Sequence, residues 1–207
     1  VDDLQQTYFT PTQLNVFLNR AQTEAQKLLV GAGQDYYTRC VQTTLVVNQG
    51  EYALPLDFSK LNRLELVISG VAPNENVSVV SNISPNQIDL IVAQSGTPQV
   101  YWFQRNRLVI RPFPQVALTM RMVYTYEVAD MIGDNSVPDM LEKYHEMIAI
   151  LAARDCFIKD DRDPSNLLEK LQMYKDMMKA DAAQRNIDQS RMVIQTGQYA
   201  DAEWNLW

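Results

Sequence analysis

"ALTMRMVYTYEV", residues 117 to 128, alternates along most of its length. Leu118, Met120, Met122, Tyr124 and Tyr126 fall on one face of an extended chain. A period of two belongs to a strand with one face buried, so the stretch predicts a long strand. Upstream, "QVYWFQRNRLVIRPFP" (99–114) reads as a hairpin turning at Arg105-Asn106. Tyr101 and Phe103 lie on one side of it and Val109 on the return strand. Pro112 and Pro114 mark its boundary, because proline cannot donate within a central ladder. "NRLELVIS" (62–69) alternates Leu64, Leu66 and Ile68, and "TTLVVNQGEYALPL" (43–56) reads as two short strands around Gly50. "NVSVVSN" (76–82) and "QIDLIVA" (87–93) are weaker strand candidates.

Helical periodicity flanks this block. In "TPTQ" Thr10 is a good N-cap, Pro11 suits the first helical position, and Gln13 can complete a capping box. Leu14, Phe17, Leu18, Ala21, Ala25 and Leu28 follow at helical spacing until "GAG" (31–33) ends the run. After the strands, Ser136 is read as a cap with Pro138 near the first turn, and Leu141, Tyr144, Ile148, Leu151 and Ala152 make the apolar stripe. "DRDPSN" (161–166) reads as a stop and a new start, with Asp163 as N-cap and Pro164 first in the helix. Leu167, Leu171, Tyr174 and Met178 then recur every three or four residues. The short connection predicts an antiparallel helical hairpin. All seven glycines fall between periodic segments. Helix, grouped strands, then two helices predict an α+β fold rather than a parallel α/β one.

The 207 residues, 46% hydrophobic and 21% charged, are enough for a sizeable core. No apolar run approaches a bilayer span, and the acidic, polar "VDDLQQTYF" is unlike a signal peptide. The net charge of −7 argues against a phosphate-neutralising groove. Between 41 and 128 Glu51, Asp57, Glu65, Glu75, Asp89 and Glu127 balance Lys60, Arg63, Arg105, Arg107, Arg111 and Arg121, so the acid excess lies in the C-terminal helices. Cys40 and Cys156 read as two reduced thiols.

Catalytic patterns are thin. His145 is the only histidine, too few for a histidine metal site or a triad with a well-placed serine. Glu142 and Glu146 stand four apart and are candidate paired carboxylates, although a solvated helix face is the simpler reading. "GAG" follows a helix, so it is no phosphate loop. In "FQRNRLVIR" (103–111) arginines alternate with apolar residues, which suits base stacking or an ordinary half-buried strand. The Met-rich "LQMYKDMMK" (171–179) suits adaptable packing. No cofactor site is predicted.

Four stretches in order carry a resemblance: "YALPLDFSKLNRLELV" (52–67), "GTPQVYWFQRNRLVIRPFP" (96–114), "LTMRMVYTYEV" (118–128) and "VPDMLEKYHEMIAILAARDCF" (137–157). Together they resemble the head-to-tail connector, or portal adaptor, proteins of tailed bacteriophages. The matching positions are Tyr52, Leu54, Pro55, Asp57 and Phe58; Pro112 and Pro114; Tyr124 and Tyr126; Val137 and Pro138; Ala149, Ala152 and Ala153. The likeness covers about residues 11–186. It implies a helical bundle carrying an inserted antiparallel β domain. On that reading 1–40 hold the N-terminal segment and helix, 41–129 the β insertion, 130–188 the C-terminal hairpin, and 189–207 an extended arm. The resemblance further implies a structural virion protein without enzymatic activity, forming a ring, usually dodecameric, beneath the portal protein. Tail or nozzle proteins attach below, and genomic DNA passes through the channel without sequence-specific binding. Assembly would take place in the host cytoplasm, away from membranes. Two readings from the residues alone stand beside it. One is a virion-borne cell-wall hydrolase using Glu142 or Glu146. The other is a single-stranded nucleic-acid binder using Tyr101, Trp102 and the nearby arginines.

The last stretch, "QYADAEWNLW" (198–207), is unusually apolar for a terminus. Trp204, Leu206 and Trp207, with Tyr199, Ile194 and Val193, are candidate partner-binding residues. The tail either folds back on its own helices or reaches the portal or a neighbouring subunit.

Overall fold

A computed structural model describes residues 9–33, 35–70, 75–84, 86–87, 95–133 and 135–188. In chain order the elements are α1 (Pro11–Gly31), β1 (Thr38–Thr44), β2 (Glu51–Ala53), β3 (Phe58–Ser69), β4 (Asn76–Val79) and β5 (Ser81–Asn82). Then follow β6 (Ser95–Gly96), β7 (Val100–Gln104), β8 (Arg107–Arg111), β9 (Phe113–Pro114), β10 (Thr119–Tyr126), α2 (His145–Lys159) and α3 (Ser165–Asp188). Among the described residues the protein is mixed α+β, with three α-helices and a largely antiparallel strand region.

The helix ends follow local chemistry. Thr10 Oγ1 accepts the Gln13 N–H at 3.3 Å, and Gln13 Oε1 accepts the Thr10 N–H at 3.4 Å, which completes the capping box. Gly33 takes φ +82 just beyond α1, a conformation glycine adopts without steric cost. Helix α2 closes with Asp161 at φ 54, where Arg162 N donates to Phe157 O at 2.9 Å and Asp161 N to Ile158 O at 3.3 Å. Asp163 Oδ1 then accepts the Ser165 N–H at 3.0 Å and opens α3. Ser136 is not a helix cap. Its hydroxyl oxygen accepts the Gly133 N–H at 3.0 Å inside the loop, and α2 begins only at His145 after a 3-10 turn over Glu142–Tyr144. Pro138 instead turns the loop, its carbonyl accepting Met140 N at 2.8 Å.

Strand β10 is central to a four-stranded antiparallel sheet of order β1-β10-β3-β4. Met120, Met122, Tyr124 and Tyr126 are buried on the expected face, and so is Thr125. Register shifts against β3 at Val123/Tyr124 and Thr125/Tyr126 break the alternation there, as bulges do. The first strand runs over 38–44, earlier than "TTLVV" suggested, and Ile68 is exposed while Leu64 and Leu66 are buried. A second sheet has order β2-β8-β7-β5. The β7–β8 hairpin turns at Arg105-Asn106, with Arg105 at φ 54, and Val109 lies opposite Trp102, whereas Tyr101 faces Ile110 and Phe103 faces Leu108. Two short pairings, β5 with β7 and β6 with β9, are parallel rather than antiparallel. Of "QIDLIVA", residues 88–93 lie outside the described residues. Pro112 follows a cis peptide bond, and Pro114 belongs to β9.

Buried side chains from all three helices and both larger sheets form one continuous cluster. Helix α1 contributes Ala21, Ala25 and Leu29, one position beyond the expected Leu28. It also buries two amides, Gln22 (1% exposed) and Gln26 (6%). Their targets explain the burial. Gln26 donates to Tyr126 O and accepts Val128 N at 3.3 Å; Gln22 donates to Ala129 O at 2.8 Å. Asn19 both accepts Met131 N at 2.8 Å and donates to Met131 O at 3.2 Å. One face of α1 thus substitutes for a neighbouring strand where the chain leaves β10.

Helices α2 and α3 run antiparallel, because Tyr174 Oη donates to Glu146 Oε2 and Tyr144 Oη to Asp181 Oδ2, each at 2.5 Å. Replacing Gln26 by Leu strands a buried carbonyl and a partly buried N–H. An unmet buried group costs about 1–3 kcal/mol, so Gln26→Leu should lower the unfolding free energy by about 2–4 kcal/mol. Gln13→Ala in the exposed capping box should cost about 1 kcal/mol or less. Urea denaturation of both variants at unchanged m value checks the ranking.

Candidate functional site

The link from β2 to β3 passes from one sheet to the other through Leu54, Pro55, Leu56 and Asp57. Phe58 N closes the turn on Pro55 O at 3.1 Å. Tyr52 pins the preceding loop, its hydroxyl accepting Val46 N at 3.0 Å and donating to Gln49 O at 3.1 Å. Asp57 is the hub of the turn. Its carboxylate accepts Arg39 Nη1 at 2.6 Å and Tyr124 Oη at 2.9 Å, and its carbonyl accepts Glu127 N at 2.7 Å. Phe58 places its ring 5.6 Å from those of Phe103 and Tyr124. The Arg39 guanidinium lies over the Tyr126 ring, 3.8 Å from its centre, and Tyr126 Oη donates to Asp139 Oδ2 at 2.9 Å. Residues from all four quoted stretches therefore converge on one spot, joining the two sheets and the loop before α2.

Pro112 and Pro114 sit apart from that junction. Asn48 N donates to Pro114 O at 2.9 Å, and Gly50 lets the Arg111 and Phe113 side chains pack on the backbone. A Cβ at Gly50 would lie 2.1 Å from Arg111 Nη1. Arg111 is held over Phe113, 3.9 Å from the ring centre, with Trp102 at 5.6 Å. Arg107 pairs with Glu51 at 2.8 Å. Two of the arginines considered for base stacking, Arg107 and Arg111, thus have partners within the protein. The near-neutral charge of the strand region is likewise built from pairs: Arg63 with Glu65 at 2.5 Å, and Arg121 with Glu65 at 3.5 Å and with Glu75.

The helical face holds the candidate carboxylates. Glu146 accepts from Tyr174 and lines a groove of about 410 Å³ with Lys170, Met173, Tyr174 and Met177, and no second carboxylate lines it. Glu142 lies in the 3-10 turn. His145 Nε2 is 3.0 Å from Met140 O. Cys40 is exposed, Cys156 is buried, and both are free thiols. Among the described residues no group of three or more His, Cys, Asp or Glu side chains is placed to hold a metal ion. Between helices, Arg154 clamps Glu24 through two bonds of 2.8 and 2.9 Å and also contacts Asp155 at 2.9 Å.

Several exposed apolar side chains lie on the strand region. Leu56 projects fully exposed from the tip of the motif turn. Val46, Val47 and Val116 are exposed where residues 45–48 run beside 114–118, tied by Leu45 N to Leu118 O at 2.7 Å. Strand β1 is an edge, and six of its seven residues are exposed. Trp204, Leu206, Trp207, Tyr199, Ile194 and Val193 all lie outside the described residues. Arg39, Asp139 and the α1 amides escaped the sequence reading, since each matters only through a partner distant in the chain.

Taken as a whole, the chain is that of a phage head-to-tail adaptor. Residues 1–198 match the family described as SU10 adaptor protein, and the chain belongs to that family. The match extends beyond residues 11–186 at both ends and stops short of Trp204 and Trp207. No curated protein matches the chain significantly. No helix among the described residues is long and apolar enough to cross a membrane.

Removing the Asp57 carboxylate leaves Arg39 and Tyr124 without their shared acceptor. Asp57→Ala should destabilise by about 2–3 kcal/mol, the range for charge-assisted bonds, and Tyr124→Phe by about 1 kcal/mol. Urea unfolding and a double-mutant cycle would measure both.

The titratable groups also set the pH range of stability. The hydrogen bond from Arg154 holds Glu24 below its ordinary 4.5, so the unfolded chain takes up that proton first and stability falls as pH drops below about 4.5. Burial, then the bond to Asp139, pushes Tyr126 up from 10.0 to about 12, and burial raises Tyr37 and Tyr124 as well. There the unfolded chain loses its protons first, so stability should decline from about pH 10 upward. Denaturation midpoints across pH should show both shoulders, and Glu24→Gln should flatten the acidic one.

Proposed function

We propose that the chain is a structural virion protein that assembles as a dodecameric ring beneath the portal, joins it to a downstream tail or nozzle protein, and surrounds the channel for the genome. Membership of the adaptor family over 198 of the 207 residues carries this reading. A ring built by rotation uses two different faces of each subunit. The open β1 edge, with Leu56 and the Val46, Val47 and Val116 group, offers material for such faces. The net charge of −7 favours passage of DNA over its retention, because strong phosphate contacts would slow it. In this reading residues 189–207 form an arm, with Tyr199, Trp204, Leu206 and Trp207 as apolar anchors supported by Val193 and Ile194. The N-terminal helix and C-terminal hairpin act as a helical unit carrying the β insertion.

Mixing the purified chain with portal protein and imaging the product by electron microscopy tests the ring. Rings of subunits bound to the portal are expected; a mixture in which the chain never associates with portal or with itself would overturn the proposal. Deleting residues 197–207 should leave circular dichroism and unfolding midpoint unchanged while reducing assembly at least tenfold at equal concentration. A drop in monomer stability on the same deletion would count against the arm.

A further inference from the structure

The end of α1 and the middle of α3 leave a groove of about 350 Å³ between them. Leu28, Ala32 and the buried Met178 supply its apolar surface, and Lys27, Lys175 and Lys179 surround it. In a chain of net charge −7 this is a local excess of positive charge. Glu24 acts on both Lys27 and Lys175 but is committed to Arg154, and Lys179 has Asp176 only at 3.9 Å. An occupant that suits the groove combines large apolar side chains with negative charge.

The end of this same chain has that chemistry. Residues 198–207 contain Tyr199, Trp204, Leu206 and Trp207, two acids (Asp201 and Glu203) and no base. The other helical groove, beside Met173 and Met177, is less suitable because Glu146 faces it. Reach is sufficient. From Lys179 to Asp188 α3 advances about 14 Å, and residues 189–203 can extend up to about 50 Å further. In a ring, each arm would meet the next copy at high effective concentration.

We propose that residues 199–207 of one copy dock in the groove of a neighbouring copy, with Trp204 and Trp207 on Leu28, Ala32 and Met178, and with Asp201 and Glu203 against Lys27, Lys175 and Lys179. The neighbouring-copy part rests on the ring reading above; the groove and its occupant do not.

The test uses the full chain carrying Trp204→Ala/Trp207→Ala, so that its own tail does not compete, and a fluorescent peptide of residues 197–207. Anisotropy should show saturable binding that weakens with added salt. Lys27→Glu/Lys175→Glu/Lys179→Glu in the protein, or Asp201→Asn/Glu203→Gln in the peptide, should weaken it at least tenfold, while Lys170→Glu leaves it unchanged. No binding, or equal binding to the lysine variant, overturns the groove; the peptide variant keeps the test valid if the lysine variant fails to fold. Carbodiimide cross-linking of assembled material from mixed light and heavy isotope copies tests the neighbour. Links from Lys175 or Lys179 to Asp201 or Glu203 across isotopes are expected; links within single copies only would overturn that part. Peptide binding without any portal-bound ring would instead sink the ring reading and leave the groove standing.

Discussion

The amide ladder from α1 to the segment after β10 is the constraint on which the rest depends. When β10 ends at Tyr126 the chain runs on beside α1 with no strand among the described residues next to it, and Glu127, Ala129 and Asp130 are exposed on its outer side. The backbone groups on the side that faces α1 still need hydrogen-bond partners. Asn19, Gln22 and Gln26 meet them, three and four residues apart along one helix face. That arrangement fixes the rotation and height of α1 against the sheet. With α1 in place, Arg154 on α2 finds Glu24, and the helices share a core with the strands.

The Asp57 junction performs a related task between the two sheets. A turn that changes sheets exposes its own backbone and needs an anchor at its base. Asp57 ties that base to β1 through Arg39 and to β10 through Tyr124, while Tyr126 carries the connection on to Asp139 ahead of α2. The turn at Asp57 is therefore a piece of architecture. It ties the two sheets to the loop before α2 and leaves Leu56 projecting at the turn tip.

Much of this was readable beforehand, where the controlling interactions are local. The Thr10–Gln13 capping box, the Asp163 cap, the turn at Arg105-Asn106 and the buried alternation of β10 all rest on contacts within a few residues. The misread elements depend on distant partners. Ser136 has the chemistry of a cap, but its hydroxyl is spent inside a loop, so α2 starts at His145. Ile68 alternates correctly and is exposed because β3 outruns the cover over its end. Gln22 and Gln26 look like solvent-facing helix residues until the exit of β10 arrives beside them.

By itself the sequence determined the order and kind of the elements, because periodicity, caps and turn residues act over a few bonds. It also carried the resemblance to the adaptor family, in stretches whose order along the chain needs no structure to be seen. Only the tertiary structure decided that the motif stretches meet at Asp57, that three amides of α1 stand in for a missing strand, and that three lysines gather around an apolar groove in an acidic protein. Each of these pairs residues separated by tens to more than a hundred positions. The free energy of such a contact depends on burial and geometry, which no local pattern encodes.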